Sequence, residues 1–323
     1  MTEVRRGPGQ VGASPTGAGK GGRGERRMVE PDRPRSYYGR SVIKEPVWSW
    51  EIPTYFFVGG LSGGSAVLAL LADVSGRPEV ARRAWPVSLA SAAVSPALLI
   101  SDLGRPERFY NMLRVAKATS PMSTGTWILT GLSGSNVVAT ANSLFGWFPR
   151  LGPFSKLSAA LLGPLLSTYT AVLIADTAVP VWHEARRELP FVFAASSAAS
   201  AGAAAALLSP RSQAGLGRRL AILGAAGETA ASRLMERRLG TLAAPYRTGT
   251  AGRLSKLATG MTIAGAGILA VAGRRRPAGR VGGSLLVLAG AATERWSIFK
   301  AGFQSARDPQ QTVGPQRERL ANS

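Results

Sequence analysis

Long apolar segments alternate with short polar or basic ones along most of the chain, and this alternation predicts membrane-spanning helices. Eight apolar segments reach, or nearly reach, the length that an α-helix needs to cross the hydrocarbon core of a bilayer. They are 53–73, 84–101, 122–145, 157–180, 190–209, 218–236, 256–273 and 281–299. The sixth carries Glu228, Arg233 and Glu236, which favours a helix packed inside a bundle over one that faces lipid. The pattern predicts an all-α membrane protein, a bundle of eight transmembrane helices.

The two ends of the chain lack this apolar pattern. Residues 1–46 are rich in Gly, Arg and Pro, which is typical of a disordered basic tail, and they contain no apolar region of a cleaved signal peptide. We therefore divide the chain into a tail over 1–46, a transmembrane domain over 47–305 and a C-terminal tail over 306–323.

The first apolar segment carries four glycines at helical spacings. Gly59, Gly60, Gly63 and Gly64 fall on adjoining faces of one helix. Glycines at such spacings let another helix backbone approach closely, which is how helices associate in lipid. We expect this helix to be the one around which the others pack.

Charge and composition agree with a membrane protein. The chain has 323 residues, is 45% hydrophobic and carries a formal net charge of +21. Nucleic-acid binding is disfavoured because the basic residues stand in short groups between long apolar runs. Eight spans place both termini on one side, and that side holds about twice as many Lys and Arg as the other, which predicts cytoplasmic termini. The arginine run 274–276 counts here toward topology only.

The chain has no cysteine and one histidine, His183. It therefore holds no iron–sulfur cluster and no cysteine-based zinc site, and a haem with two histidine ligands from this chain is excluded. No metal site is predicted. Electrons handled by this protein must arrive on another subunit or leave on a diffusible carrier.

Polar side chains gather at one membrane face, the one that carries the termini. The start of the first span lies there, and four further segments bring acids, arginines, tyrosines and tryptophans to the same face: 101–113, 120–127, 167–184 and 293–309. The opposite connections are short and basic or rich in Gly and Pro. We therefore expect a site on the terminal face, at or just below the interface.

Two pairs of residues are the strongest candidates for proton chemistry. Glu51 and Tyr55 lie one helical turn apart at the entrance of the first span. Tyr169 and Asp176 are seven residues apart and would share a face of the fourth span, where an ionisable group is a functional candidate. The structural alternative for Asp176 is a capping role or a pairing with an arginine such as Arg105 at the interface.

Four other residues have a functional and a structural interpretation. Asp102 and Arg105, in the turn DLGRP, either form ordinary turn contacts, or Arg105 together with Arg108 docks an acidic partner or holds a water network. His183 is either an interfacial histidine or a proton exchanger at the mouth of the site. Glu228 is either a proton relay or a carboxylate satisfied by Arg233.

At these residues the sequence resembles the NrfD / polysulfide reductase family of quinone-reactive membrane subunits. The similar pieces span residues 47–309 and are WSWEIPTYFFVGGLSGGSA, SDLGRPERFYNML, TSPMSTGTWIL, YTAVLIADTAVPVW and ERWSIFKAGFQSARDP. The resemblance implies an eight-helix bundle without haem that binds menaquinone or ubiquinone near one face. It also implies an iron–sulfur subunit docked on that face and, beyond it, a molybdopterin catalytic subunit.

The resemblance also assigns roles to residues. Two positions depart from the family pattern: Tyr55 stands where polysulfide reductase has a histidine, and Ala171 where a glycine follows Tyr169-Thr170. The catalytic candidates are Glu51, Tyr55, Tyr169 and Asp176. The predicted quinone-binding residues are Glu51, Tyr55, Asp102, Arg105, Tyr169 and Thr170, with Asp176, His183 and Glu228 as proton relays.

The resemblance thus favours a membrane anchor and quinone-reactive subunit of an oxidoreductase in the bacterial cytoplasmic membrane. One alternative is a purely structural anchor without quinone chemistry. Another is a small-solute or ion transporter, which would show internal repeats and broken helices near the midplane. In several relatives the catalytic partners sit outside the cytoplasmic membrane, whereas the charge count here places the site face inside.

Overall fold

The protein is described by a computed structural model over residues 43–117 and 119–312, which contain eleven α-helices and no β-strand. Most of the predicted N-terminal tail (1–42) and the end of the C-terminal tail (313–323) lie outside the described residues. The helices are α1 (Glu51–Val74), α2 (Pro78–Asp102), α3 (Phe109–Arg114), α4 (Pro121–Phe145), α5 (Leu151–Ala175), α6 (Pro180–Glu184), α7 (Leu189–Leu208), α8 (Gly215–Leu239), α9 (Ala244–Arg247), α10 (Gly249–Val271) and α11 (Pro277–Arg307).

The long helices coincide with the predicted apolar segments. Eight of the described helices have 20 residues or more, and each overlaps one of those segments. Five of them, α1, α2, α5, α7 and α10, are long and apolar enough to cross a membrane. The all-helical membrane architecture is therefore confirmed, whereas the count of eight spanning helices is not. The helices outside the five carry more polar residues: α4 is rich in Ser, Thr and Asn, while α8 and α11 contain charged residues.

Helix α1 lies at the centre of the bundle, where it contacts α2, α5, α7 and α11. A Cβ added to Gly63 would overlap the backbone carbonyl of Gly163 on α5. A Cβ added to Gly64 would lie 2.5 Å from the carbonyl oxygen of Ser197 on α7. The predicted glycine-mediated approach of neighbouring helices to α1 is confirmed.

Two other helix pairs, α7–α8 and α10–α11, also pack closely through glycines. Gly202 of α7 meets Gly217 of α8, and Gly265 of α10 meets Gly283 of α11, each pair at backbone contact distance. Small residues let backbones approach where lipid removes the hydrophobic drive for association. The pairs α7–α8 and α10–α11 thereby form a second half of the bundle, which contacts α1 through α7 and α11.

One end of the bundle is held together by contacts distant in sequence. The fully buried Trp182 of α6 packs on Gly302 of α11, and its Nε1–H donates to the carbonyl of Ile298 at 2.8 Å. At the same end, Arg307 pairs with Glu45 just before α1, with an N–O distance of 2.7 Å. The chain thus enters α1 beside the point where it leaves α11.

Candidate functional site

An acidic pair lies at the entrance of α1, held by one serine. The Ser49 hydroxyl donates to the Glu51 carboxylate at 2.5 Å, and the Ser49 backbone N–H donates to Oδ1 of Asp102 at 3.2 Å. Glu51 is the first residue of α1, where the helix dipole favours a carboxylate. Asp102 is the last residue of α2, where the dipole opposes it, so the N–H of Ser49 offsets that cost. The structure therefore brings Glu51 and Asp102 together through Ser49.

A pair of phenols lies below these acids. Tyr55, one turn along α1 from Glu51, is 1% exposed, and Tyr169 of α5 is 8% exposed. The two phenol groups are neighbours within electrostatic reach of each other. Tyr169 packs on Gly125 of α4, where an added Cβ would overlap the phenol ring. Helix α1 and the consecutive helices α4 and α5 thus enclose one buried pair of phenols.

Thr170 lies next to this pair on the face of α5 that packs against α1. It shares that face with Gly163 and Ser167, since these residues are seven and three positions earlier. Ser167 Oγ lies 3.5 Å from the carbonyl oxygen of Gly60 on α1. Thr170 is fully buried, and its hydroxyl has no hydrogen-bond partner among the described residues. Buried hydroxyls normally have a partner, so the hydroxyl of Thr170 is an exception within this part of the bundle.

The structure corrects the predicted position of Asp176. The fourth apolar segment was expected to stay helical to residue 180, but α5 ends at Ala175 and Asp176 lies exposed in its cap. Nδ1 of His183 lies 3.1 Å from the Ala175 carbonyl, which only accepts, so His183 donates and closes the helix end. The Thr177 hydroxyl donates a hydrogen bond to the carbonyl oxygen of Ile174 at 2.7 Å. Asp176 therefore lies at the exposed end of the helix, whereas Tyr169 is buried in the bundle. Relay roles for Asp176 and His183 stay predictions.

The turn that carries Arg105 has the predicted geometry. Gly104 adopts a φ of +69°, a left-handed conformation that glycine adopts without steric cost. Arg105 follows in an extended conformation and precedes the short 3₁₀ turn Pro106–Arg108. Its side chain is exposed on the α2–α4 connection, at the same end of the bundle as Asp102.

A second buried polar group surrounds Arg295 of α11, which is 1% exposed. Its guanidinium lies over the Phe193 ring at 3.6 Å from the centroid and donates to the Phe193 carbonyl at 2.9 Å. Glu228 of α8 and the adjacent Glu294 are buried within electrostatic reach of it. Ser232 donates to Glu294 at 3.2 Å. Two buried acids thus lie within electrostatic reach of one buried cation.

Sequence reasoning named Glu228 but missed its partners. Glu294 and Arg295 begin the segment ERWSIFK, where two charged residues follow a long apolar run. Charged residues in that position indicate a buried polar group, and this pattern could have identified them. Gly125 was missed too, since nothing local in α4 indicates which ring it faces. The predicted alternative partner of Glu228, Arg233, is exposed, and Arg295 is the arginine that faces it.

The phenol pair and the Arg295 group pack on adjoining faces of α1. The ring of Phe56 lies 6.2 Å from the Tyr55 ring and 5.9 Å from the Phe193 ring, between centroids. A Cβ on Gly60 would lie 3.5 Å from the Arg295 guanidinium. A continuous row of buried side chains therefore connects the two polar groups through α1.

Comparison with known proteins identifies the family of this chain. The family model described as "Polysulphide reductase, NrfD" matches residues 41–219, more than half of the chain. This chain belongs to the NrfD family. No curated protein matches the chain, so the assignment stands on the family model.

Members of the NrfD family are membrane subunits of redox enzyme complexes, and the apolar helices agree that this chain is an integral membrane protein. The matched residues include Glu51, Tyr55, Asp102 and Tyr169. They end at 219, so the Arg295 group lies outside the matched part.

Proposed function

We propose that this NrfD-family chain is the quinone-reactive membrane subunit of a multi-subunit oxidoreductase in the bacterial cytoplasmic membrane. It exchanges electrons between a docked iron–sulfur subunit and menaquinone or ubiquinone. The observation that carries the proposal is the buried phenol pair, Tyr55 and Tyr169, one helical turn below the acidic pair of Glu51 and Asp102.

The donors in this site suit a quinone. A quinone presents carbonyl oxygens that accept hydrogen bonds, and a phenol is a donor of matching strength. Tyr169 is the more exposed of the two phenols, so it is the one that contacts the quinone carbonyl. Tyr55 is enclosed and orients Tyr169. The unpartnered hydroxyl of Thr170 is a further donor at the same depth.

The acids give the site a route to water. The quinone supplies the chemistry, which takes up two electrons and two protons. Glu51 and Asp102 are half-buried, and Glu51 lies about 6 Å above Tyr55 along the axis of α1. They take protons from the aqueous face and pass them toward the phenols, while the electrons come from the partner subunit.

The face above the site suits an acidic partner. Arg105 and Arg108 on the α2–α4 connection and Arg186 and Arg187 between α6 and α7 are exposed there. A basic surface of this kind steers an acidic protein into register. The iron–sulfur subunit docks on this face in our proposal, with a molybdopterin subunit beyond it. Positive-inside charge places the face in the cytoplasm.

All eight long helices span the membrane in this proposal. Helices α8 and α11 contain charged residues that would be costly in contact with lipid. Three of these residues, Glu228, Glu294 and Arg295, are buried inside the bundle and lie within electrostatic reach of one another. Such helices cross the membrane inside a bundle although their hydropathy is low.

The test is Tyr169→Phe in the assembled complex. We expect quinone-linked turnover to fall about a hundredfold, because the donor to the carbonyl is lost. Activity toward an artificial electron acceptor that bypasses the quinone should stay unchanged. Tyr55→Phe should have a smaller effect, since its phenol acts through Tyr169.

Tyr246→Phe is the matched control. Tyr246 is also buried, and its hydroxyl has no hydrogen-bond partner among the described residues, so its removal should leave turnover unchanged. Full quinone-linked turnover in Tyr169→Phe, with a complex that still assembles, would favour a purely structural anchor.

A further inference from the structure

A cavity of about 250 Å³ opens at the end of the bundle opposite the candidate site. It lies between the α7–α8 and α10–α11 connections, where α11 begins. The other end of this 31-residue helix, about 46 Å away, is paired with Glu45 beside the entrance of α1. Its lining contains no acidic residue and six arginines: Arg211, Arg218, Arg219, Arg274, Arg276 and Arg280.

Two of these arginines donate hydrogen bonds to backbone carbonyls at the ends of neighbouring helices. Arg280 donates to the carbonyl of Ser209 at 2.6 Å, and Arg218 lies 3.5 Å from the carbonyl of Leu269. These bonds tie α11 to the end of α7, and α8 to the end of α10. The Nε of Arg280 is buried without a hydrogen-bond partner among the described residues. The cavity is thus a preformed cationic site.

Acids near this end of the bundle are engaged elsewhere. Asp73, at the end of α1, pairs with Lys156 at 3.0 Å, and Glu79 pairs with Arg83 at 2.7 Å. Two helix N-termini add to the positive potential, because Gly215 begins α8 and Pro277 begins α11, and both line the cavity. Guanidinium groups and helix N-termini both favour phosphate as a ligand.

The surface next to the cavity is apolar and exposed. Val271 of α10 is 80% exposed, Leu208 of α7 is 50% exposed, and Val281 and Leu285 continue along α11. Arginines at the level of the headgroups above exposed apolar side chains match a phospholipid, whose charged head and acyl chains would contact both surfaces. A soluble phosphate would use only the arginines.

We propose that this cavity binds the phosphate headgroup of an anionic phospholipid, with its acyl chains along the exposed apolar side chains of α10 and α11. The arginine run 274–276 thereby gains a binding role beyond topology, since Arg274 and Arg276 line the cavity. The lipid bridges the α7–α8 and α10–α11 pairs from the membrane side.

Native mass spectrometry and thermal unfolding of the complex in mild detergent test this proposal. The probes are phosphatidylglycerol, zwitterionic phosphatidylcholine and inorganic phosphate. The variant Arg219→Gln/Arg276→Gln removes one arginine from each connection and should weaken phosphatidylglycerol binding about thirtyfold. The matched control is Arg253→Gln/Arg275→Gln, which changes the net charge equally outside the cavity and should bind within about twofold of the wild type.

Each outcome decides the matter. Selective retention of phosphatidylglycerol, with a higher unfolding temperature that the cavity variant loses and the control keeps, supports the proposal. Stabilisation by inorganic phosphate alone identifies a soluble-anion site and overturns it. Equal retention of the two lipids, or equal loss in both variants, also overturns it. If the double variant does not assemble, Arg274→Gln against Arg275→Gln makes the same comparison with single changes.

Discussion

Gly125 has only a hydrogen as its side chain, and the phenol ring of Tyr169 fills the space beside it. Any larger side chain at this position displaces the ring, because its Cβ would overlap the ring atoms and the hydroxyl. The position of the donor in the site therefore depends on a residue of α4 that carries no chemistry itself.

Gly125→Ala tests this dependence. We expect quinone-linked turnover to fall about a hundredfold, since a shift of about 1 Å in a positioned donor costs that much. The measurement is turnover in the assembled complex. The control is Gly134→Ala on the same helix, where an added Cβ meets no atom within 4 Å. Equal turnover in the two variants would contradict the role of Gly125.

Arg295 is a buried cation within electrostatic reach of two buried acids, and its guanidinium contacts Phe193, so its loss should be costly. Arg295→Met leaves Glu228 and Glu294 without their cation, and we expect stability to fall by about 3 kcal/mol. Thermal unfolding in detergent measures this loss. Arg233→Met, which removes an exposed arginine of α8, should leave the unfolding temperature nearly unchanged.

A triple variant separates charge imbalance from lost packing. Adding Glu228→Gln and Glu294→Gln to Arg295→Met removes the whole ionic group, which is often nearly neutral in buried networks. We expect most of the stability to return. If the triple variant is no more stable than Arg295→Met, the lost contact with Phe193 explains the effect and the charge account is wrong.

At the scale of elements, close contacts between helix backbones determine how the helices pack in the bundle. Helix α1 meets α5 at Gly63 and Gly163, which approach each other too closely for any side chain. This contact also holds Tyr55 and Tyr169 opposite each other. Tyr55 lies on α1 and Tyr169 on α5, each about two turns closer to the site face than the glycine of its helix.

Gly63→Ala should therefore push α1 away from α5. The expected cost is about 1–3 kcal/mol of stability, as in other overpacked interiors, together with a loss of quinone-linked turnover. Unfolding temperature and turnover are both measured in detergent. Gly260→Ala on α10, where an added Cβ finds open space, is the control. A Gly63→Ala protein as stable as this control would contradict the close contact.

Hydropathy located the long helices but not their ends or contacts. The apolar run of the fourth segment continues past Ala175, whereas the helix ends there because His183 occupies the Ala175 carbonyl and Pro180 begins α6. Glu51, Tyr55, Asp102 and Tyr169 could be placed at one face because helix direction alternates. The partners Gly125 and Arg295 could not be identified, since their contacts join helices distant in sequence.

At the scale of the whole molecule, the two ends of the bundle differ in chemistry. One end carries the acids, the phenols and the junction of α1 with α11, and the other carries the arginine-lined cavity. The family match covers the helices of the phenol pair and ends before the Arg295 group. The molecule thus combines a candidate site within the matched residues with a buried polar group whose charged residues lie beyond them.

The most direct test of the proposed quinone site is a structure of the assembled complex with a bound quinone analogue. We predict that one analogue carbonyl lies within hydrogen-bonding distance of the Tyr169 hydroxyl, with its ring below Glu51 and Asp102. An analogue bound at the opposite end of the bundle, or a complex that binds the analogue only on another subunit, would contradict the account.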